Sequence, residues 1–402
     1  MLPGSRRPIT VALSGGGDSI ALLLAAAEWA AQAERELVVL TVDHRLQSQS
    51  AAWTRACAAT ATRLGLAFRS LDWTAEKPVT GLPAAARAAR HTLLAEAARD
   101  IGARVILMGH TADDLLEAQL MRASGSTTPD PRGWSPSPVW PQGRGLFLLR
   151  PLLSIRRSAI RDWLKARAET WIDDPANLDL GYARPRARQA LARPPSLSPA
   201  RPEEPLPNDL AIACRPDAGG GLELDRDLLR GAATLAAQRF VAAACLCAAG
   251  EGRPPASVRV QSLTDRLTGV DDVIATLAGA RIEAVRAIVR VEREAGEASR
   301  GGLAPLRLAA GQTGVWDGRF EIRAEQPCEV RRLAGQAGRL SSREQKLIKT
   351  FSPNARRALP AVVDATGSLA CPTVGEVRGL RLTPLGYDRL LAACGAVDRE
   401  PA

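Results

Sequence analysis

Two groups of residues carry the types from which a phosphate-handling site is built: Ser14-Gly15-Gly16-Gly17-Asp18-Ser19, and the acids Asp113, Asp114 and Glu117. Glycines lack a side chain and tolerate positive φ, so at the start of a helix their N–H groups converge on an anion at the positive end of the dipole. The stretch lacks the lysine of G-x-x-x-x-G-K-[ST] and the third glycine of G-x-G-x-x-G, leaving a different anion turn or a plain strand-to-helix turn. The acids stand at i, i+1 and i+4, so Asp113 and Glu117 share a helix face with Asp114 beside them. Such a set holds Mg²⁺ or an ammonium; the bland alternative is a first helical turn enriched in acids. His44 and His110 end strand-like runs and suit nucleotide contact, proton transfer or a structural hydrogen bond, whereas His91 lies inside a helix and reads as structural.

The elements that must position these residues are legible as alternation. Residues 9–13 (ITVAL) suit a buried strand, and 18–33 form a helix with Asp18 or its neighbour as cap. Strand-like 37–43, helix-like 50–64, strand-like 67–73, helical 83–100, and strand 105–110 before helix 111–122 follow. This order predicts an α/β fold, a doubly wound parallel sheet with helices on both faces, whose ligands lie beyond the carboxyl ends of the strands. Ser14–Ser19, Asp43-His44 and Gly109-His110 all fall at such ends.

Residues 123–147, rich in Gly, Pro and Ser, read as a long loop, and 155–168 as helix. The expected organisation is a catalytic domain over 1–190, a proline-rich linker at 191–207, a helical middle domain over 208–300 and a small basic α+β module over 301–402. In that module VWDGRFEIRA and LPAVVDATGSLACPTV suggest antiparallel β elements around a basic segment, 331–357.

The formal charge is +10, and only Lys77, Lys165, Lys346 and Lys349 are lysines, so the excess is guanidinium, suited to bidentate contact with phosphate. A polyanionic partner is expected. Seven scattered cysteines argue for reduced thiols and a cytoplasmic protein, and Cys245-x-Cys247 without a nearby His gives no metal-site spacing. No uninterrupted apolar run has membrane-spanning length, so no membrane partner is expected.

Ser14–Ser19 also match S-G-G-x-D-S, the pyrophosphate loop of the ATP-pyrophosphatase superfamily. Val42-Asp43-His44-Arg45-Leu46, Ala86–His91, Gly109–Asp114 with Glu117 and Leu120-Met121-Arg122, and Arg150-Pro151-Leu152-Leu153 resemble the tRNA(Ile)-lysidine synthetases in order and spacing. So do Trp171–Asn177 and Tyr182 with Arg184, Arg186 and Arg188, and, more weakly, Arg356–Val363. The resemblance covers about the first half of the chain. It implies adenylation of the C2 oxygen of the first anticodon cytidine of tRNA(Ile) with a CAU anticodon. The amine of L-lysine then displaces AMP, with ATP and Mg²⁺ as cofactors.

On this resemblance Ser14, Gly15, Gly16, Gly17, Asp18 and Ser19 hold pyrophosphate, and Gly109 and His110 join them at the nucleotide. Asp43, His44, Asp113, Asp114 and Glu117 form the catalytic set, with Asp18 and Asp114 as Mg²⁺ ligands. Arg87, Arg122, Arg184, Arg186 and Arg188 contact substrate or tRNA, and a homodimer is compatible. Arg45, Gln47, Leu115, Ala118 and Pro185 depart from the family pattern, Arg45 standing where Gly is usual and Pro185 where Asn is. The competing readings are another tRNA-modifying ATP-pyrophosphatase, such as a thiolation enzyme, and a catalytically silent RNA-binding protein.

Overall fold

The computed structural model describes residues 5–125, 134–136, 139–174, 181, 183–191, 206–397 and 400. Pro175–Asn177, Tyr182, most of the 191–207 linker and part of the 123–147 loop lie outside the described residues. The chain forms two compact units, residues 1–204 with 398–402, and residues 205–397.

The first unit runs β1 (Ile9–Ala12), α1 (Gly17–Gln32), β2 (Leu37–Asp43), α2 (Ser50–Arg63), β3 (Ala67–Asp72), α3 (Leu82–Ile101), β4 (Val105–Leu107) and α4 (Ala112–Ala123). Then come β5 (Trp134–Pro136), β6 (Phe147–Leu149), α5 (Arg157–Ala166) and α6 (Ala183–Leu191). The sheet order is β3-β2-β1-β4-β6-β5, parallel except for β5, as the doubly wound reading requires. The strand β6 was not among the expected elements. The pleat sorts β2 onto two cores: Leu37 and Val39 pack with α1, α2 and α5, while Val38 and Leu40 pack with α3. Burial on both faces is why these strands are near-continuous Val/Leu/Ile runs. At the C-terminal tail, Glu400 takes a bidentate pair from Arg35 at 2.9 Å per bond, with both side chains almost fully enclosed.

The second unit begins with α7 (Asn208–Ala213), β7 (Arg215–Pro216), β8 (Leu222–Asp225), α8 (Arg226–Gly231), α9 (Thr234–Ala249) and α10 (Ser257–Thr268). Next come β9 (Val273–Leu277), β10 (Ala280–Val285), β11 (Ile288–Arg293), β12 (Leu306–Leu308), β13 (Thr313–Trp316), β14 (Phe320–Ala324) and β15 (Cys328–Arg332). It closes with α11 (Ser342–Leu347), α12 (Pro353–Ala358), β16 (Pro360–Asp364), β17 (Leu369–Ala370), β18 (Leu380–Pro384) and α13 (Gly386–Ala393).

The expectation of an all-helical stretch to about residue 300 is corrected here. Residues 273–293 form a three-strand meander in an antiparallel sheet of order β7-β8-β11-β10-β9, backed by α9 and α10. The core of this sheet also takes Leu390 and Cys394, so it crosses the expected boundary near 300. The β elements expected after 303 are present as two small antiparallel sheets, β12-β15-β16-β17 and β13-β14-β18. Cys245 and Cys247 are buried in the α9 core as free thiols, which burial pushes up to about 12 and about 11. No described helix is long and apolar enough to cross a membrane.

Candidate active site

The sites expected from sequence converge on one cleft of about 1880 Å³ beyond the carboxyl ends of β1, β2 and β4. Single small-molecule sites enclose roughly 300–1,000 Å³, so this one has room for more than one reactant. Ser14, Gly16–Ser19, Asp43, His44, Gly109, His110, Asp113, Glu117 and Arg188 reach its wall. Gly15, Arg87, Asp114, Arg122, Arg184 and Arg186 do not line it.

The glycine turn is built to present backbone. The cap of α1 is Gly16, not Asp18, and no side chain bonds the first turn. The N–H groups of Gly15, Gly16, Gly17 and Asp18 therefore make no bond to described residues and stay open to an anion. Ser19 Oγ donates to Gly16 O at 2.8 Å, accepts from Ser14 N at 3.3 Å and lies 3.2 Å from Ser14 Oγ, which pins the turn from inside. Gly15 has φ +83°, and a Cβ there would lie 2.5 Å from Ile172 Cδ1. Gly109 is needed for a different reason: a Cβ would lie 2.9 Å from Asp18 O and 3.1 Å from Ser19 N, so the chain just after β4 touches the backbone of the glycine turn.

The acids form a cluster, but arginines occupy it. Thr111 and Asp114 make a capping box at the start of α4: Asp114 Oδ2 accepts from Thr111 N at 2.7 Å and Thr111 Oγ1 at 2.9 Å. Asp114 Oδ1 accepts from Arg184 and lies 3.5 Å from Arg157 Nη2. Glu117, 1% exposed, accepts from Arg157 Nη1 (2.9 Å), Arg188 Nε (2.8 Å) and Arg184 Nε (2.7 Å). Asp113 accepts from Arg157 N at 2.7 Å and pairs with Arg156 at 3.1 Å. Asp18 Oδ2 accepts from Arg157 Nε at 2.9 Å. Burial raises the Asp18 carboxyl above its ordinary range against the pull of Arg157, and Asp114 adds to the rise. Burial opposes the Arg157 charge, but Glu117, Asp114 and Asp18 outweigh it and hold this guanidinium above its usual range.

Arg157 is the residue that sequence reasoning missed; its only signal was a position shortly after Arg150-Pro151-Leu152-Leu153. Arg184 and Arg188, expected at substrate or tRNA, pair with Asp114 and Glu117. Arg186 is exposed, with Nη1 on Gly181 O, and Arg122 sits in the last turn of α4 away from the cleft wall. Pro185 is buried in the first turn of α6, where a missing N–H costs no helical bond.

At the α3 side the balance is reversed. Burial, then Arg87, Arg184 and Arg150, push Arg90 down to about 10. Burial, then Arg87, takes Arg150 to about 10, and burial, then Arg184, lowers Arg87. Neither Arg87 nor Arg90 pairs with a described carboxylate, and Arg90 Nε is enclosed without a partner among the described residues. His110 Nδ1 accepts from Arg150 Nε at 3.0 Å, and burial and Arg150 hold the ring neutral, down to about 2. With Nδ1 as acceptor the proton sits on Nε2, so His110 is a donor at neutral pH. His91 is 2% exposed, held at about 2 by burial and Arg90, and neither nitrogen has a described partner. It therefore packs as a neutral core ring.

Asp43 bends the chain after β2 by accepting from Arg45 N at 2.7 Å. Arg45 has φ +53°, which explains the glycine usual at this position; its side chain reaches Asp72 at 2.5 Å. His44 meets Trp73 edge-on at 6.0 Å, and burial, then Arg90, lowers its pKa.

The Mg²⁺ assignment can be tested on donors. Both oxygens of Asp114 are taken by protein groups, whereas Asp18 Oδ1 has no described partner. Among the described residues no group of three metal-ligating side chains occurs. The fit is thus to one carboxylate, Asp18, beside an anion turn, the arrangement in which Mg²⁺ takes most ligands from phosphate and water.

Comparison with known proteins agrees with this geometry. A PP-loop domain family model matches residues 2–194. The tRNA(Ile)-lysidine synthase of Caulobacter vibrioides is 48% identical over 408 residues, 99% of this chain and 96% of the relative. That of Rhizobium meliloti is 32% identical, over 98% of this chain and 93% of the relative. That of Brucella anthropi is 33% identical over 79% and 74%. With an uncapped glycine turn and an acidic helix on one cleft, and this identity over nearly its whole length, the chain belongs to the tRNA(Ile)-lysidine synthase family.

Proposed function

We propose that the protein activates the C2 oxygen of the first anticodon cytidine of tRNA(Ile) bearing CAU with ATP and joins the amine of L-lysine at that carbon, releasing pyrophosphate and AMP. The observation that carries this reading is the juxtaposition, in one cleft, of the open amides of Gly16–Asp18 with the carboxylates of Asp113 and Glu117. The amides hold the departing pyrophosphate. The carboxylates bind and orient the lysine ammonium.

Asp18 would hold Mg²⁺ together with phosphate oxygens, and the ion would supply charge neutralisation at the leaving group. Asp43, through its bond to the Arg45 amide, fixes the turn that carries His44 to the cleft, and neutral His110 donates from Nε2 to the nucleotide. Arg87 and Arg90, which have no described carboxylate partner, offer positive charge to a phosphate, and the exposed Arg186 and the basic segment 331–357 suit tRNA phosphates. Reaction with tRNA sets the working compartment as the cytoplasm.

The test incubates the protein with ATP, Mg²⁺, labelled lysine and tRNA(Ile) bearing CAU. The expected result is lysine-labelled tRNA with AMP and pyrophosphate in equal amounts. Unlabelled tRNA without AMP overturns the reading, and equal labelling of methionine tRNA overturns its specificity.

A further inference from the structure

We infer that Arg157 is the positioning residue of the amine subsite, its guanidinium fixing Asp18, Asp114 and Glu117 relative to one another. The inference rests on the function proposed above. Arg157 is the first residue of α5, yet its side chain joins two other elements: Nε bonds Asp18 of α1, while Nη1 bonds Glu117 and Nη2 lies 3.5 Å from Asp114, both of α4. Its own amide bonds Asp113. One planar fork thus gathers acids from positions 40 to 139 residues away in the chain, a geometry an ammonium cannot reproduce.

The other cations here are differently placed. Arg184 and Arg188 lie on α6, and their side chains are 39% and 30% exposed against 17% for Arg157. Both carboxylate oxygens of Glu117 accept from these three arginines. A lysine ammonium that reaches Glu117 therefore enters a site already crowded with guanidinium groups. Arg157, the most enclosed of the three and the one tied to α1, is the residue that stays and keeps the acids in place for the incoming amine.

The charged groups facing the cluster are Asp18 of α1, Asp113, Asp114 and Glu117 of α4, Arg156 and Arg157 of α5, and Arg184 and Arg188 of α6. Arg87 and Arg90 of α3 act on Asp114 from further away.

The experiment compares wild type, Arg157→Gln and Arg157→Lys. In the ligand-free arm, urea unfolding is measured for Arg157→Gln, Glu117→Gln and the double variant. The two losses of stability are non-additive, and Arg157→Lys loses less than Arg157→Gln. Additive losses, the mark of a packing role, overturn the proposal. In the kinetic arm, Arg157→Gln raises KM for lysine about tenfold or more while KM for ATP moves less than about threefold, and Arg157→Lys recovers part of the loss. Equal changes in both KM values, or an unchanged lysine KM, overturn it. If Arg157→Gln does not fold, Arg157→Lys alone decides, with a lysine KM raised about threefold or more as the expected result and an unchanged one overturning the proposal. A wild type that labels no tRNA overturns the function while the unfolding arm still decides the role of Arg157.

Discussion

The two ends of the cleft use the same residue type in opposite electrostatic states. On the α4–α5–α6 side, Arg157, Arg184 and Arg188 are matched by Asp18, Asp114 and Glu117, and the carboxylates hold Arg157 above its usual range. On the α3 side, burial and mutual repulsion lower Arg87, Arg90 and Arg150, and two neutral histidines pack among them. A matched cluster uses its charge internally and presents shape, whereas Arg87 and Arg90 have no described carboxylate partner. The arginine surplus visible in the composition is therefore not one property but two.

The contrast breaks most sharply at Glu117. Glu117→Ala leaves three guanidinium groups without their shared acceptor, and breaking a buried pair costs about 3–5 kcal/mol. The lower end is expected, because Arg184 and Arg188 keep access to water. Chemical denaturation measures this, and lysine incorporation falls more than ATP binding.

The next effect comes from the neutral histidines and has a sign fixed by their depressed values. The unfolded chain takes up protons on His91 and His110 as pH falls below about 6.5, while the folded rings stay neutral until about 2. Stability is thus fully present above the unfolded value and is lost as pH drops, by roughly 1.4 kcal/mol per pH unit for each ring. His91→Leu halves this histidine contribution to the acid slope, read by unfolding midpoints from pH 7 to 4.5.

The smallest effect is at Arg90. Its enclosed Nε–H lacks an acceptor among the described residues, a defect worth about 1–3 kcal/mol. Arg90→Met is expected to raise the melting temperature of the ligand-free protein and to reduce the further rise given by pyrophosphate. A lower melting temperature and an undiminished pyrophosphate shift would erase the distinction between the two ends.

The first unit was legible because its information is local. Each strand is a short apolar run, each helix has its own period, and the glycine turn and acidic helix announce themselves within a few residues. The charge pairing was not legible, because the bond from Arg157 to Asp18 spans 139 residues and only the closed sheet brings them together. The meander of β9–β11 was misread for a turn-level reason. Leu277 and Ala280 pair across Ala278 (φ +48°) and Gly279 (φ +77°), and Val285 and Ile288 pair across a turn with Arg286 at φ +54°. Neither turn carries the Asn-Gly or Asp-Gly signature of a hairpin, so the alanine-rich sequence read as helix. At α6 the alternating basic run suggests contact with substrate or tRNA, and its spacing does not reveal that two of its three arginines pair with Asp114 and Glu117.

The close approach at Gly109 gives the cleft a fixed scale. The glycine turn and the strand leading to the acidic helix meet backbone to backbone, with too little space between them for a methyl group. The spacing of the Gly15–Asp18 amides from the start of α4 is thus set by main chain, the stiffest part of the structure, while the carboxylates are placed by their own rotamers and by Arg157. On the proposed function the cleft works as a ruler: a phosphate seated at one mark meets an amine at the other only if the reactant's length agrees.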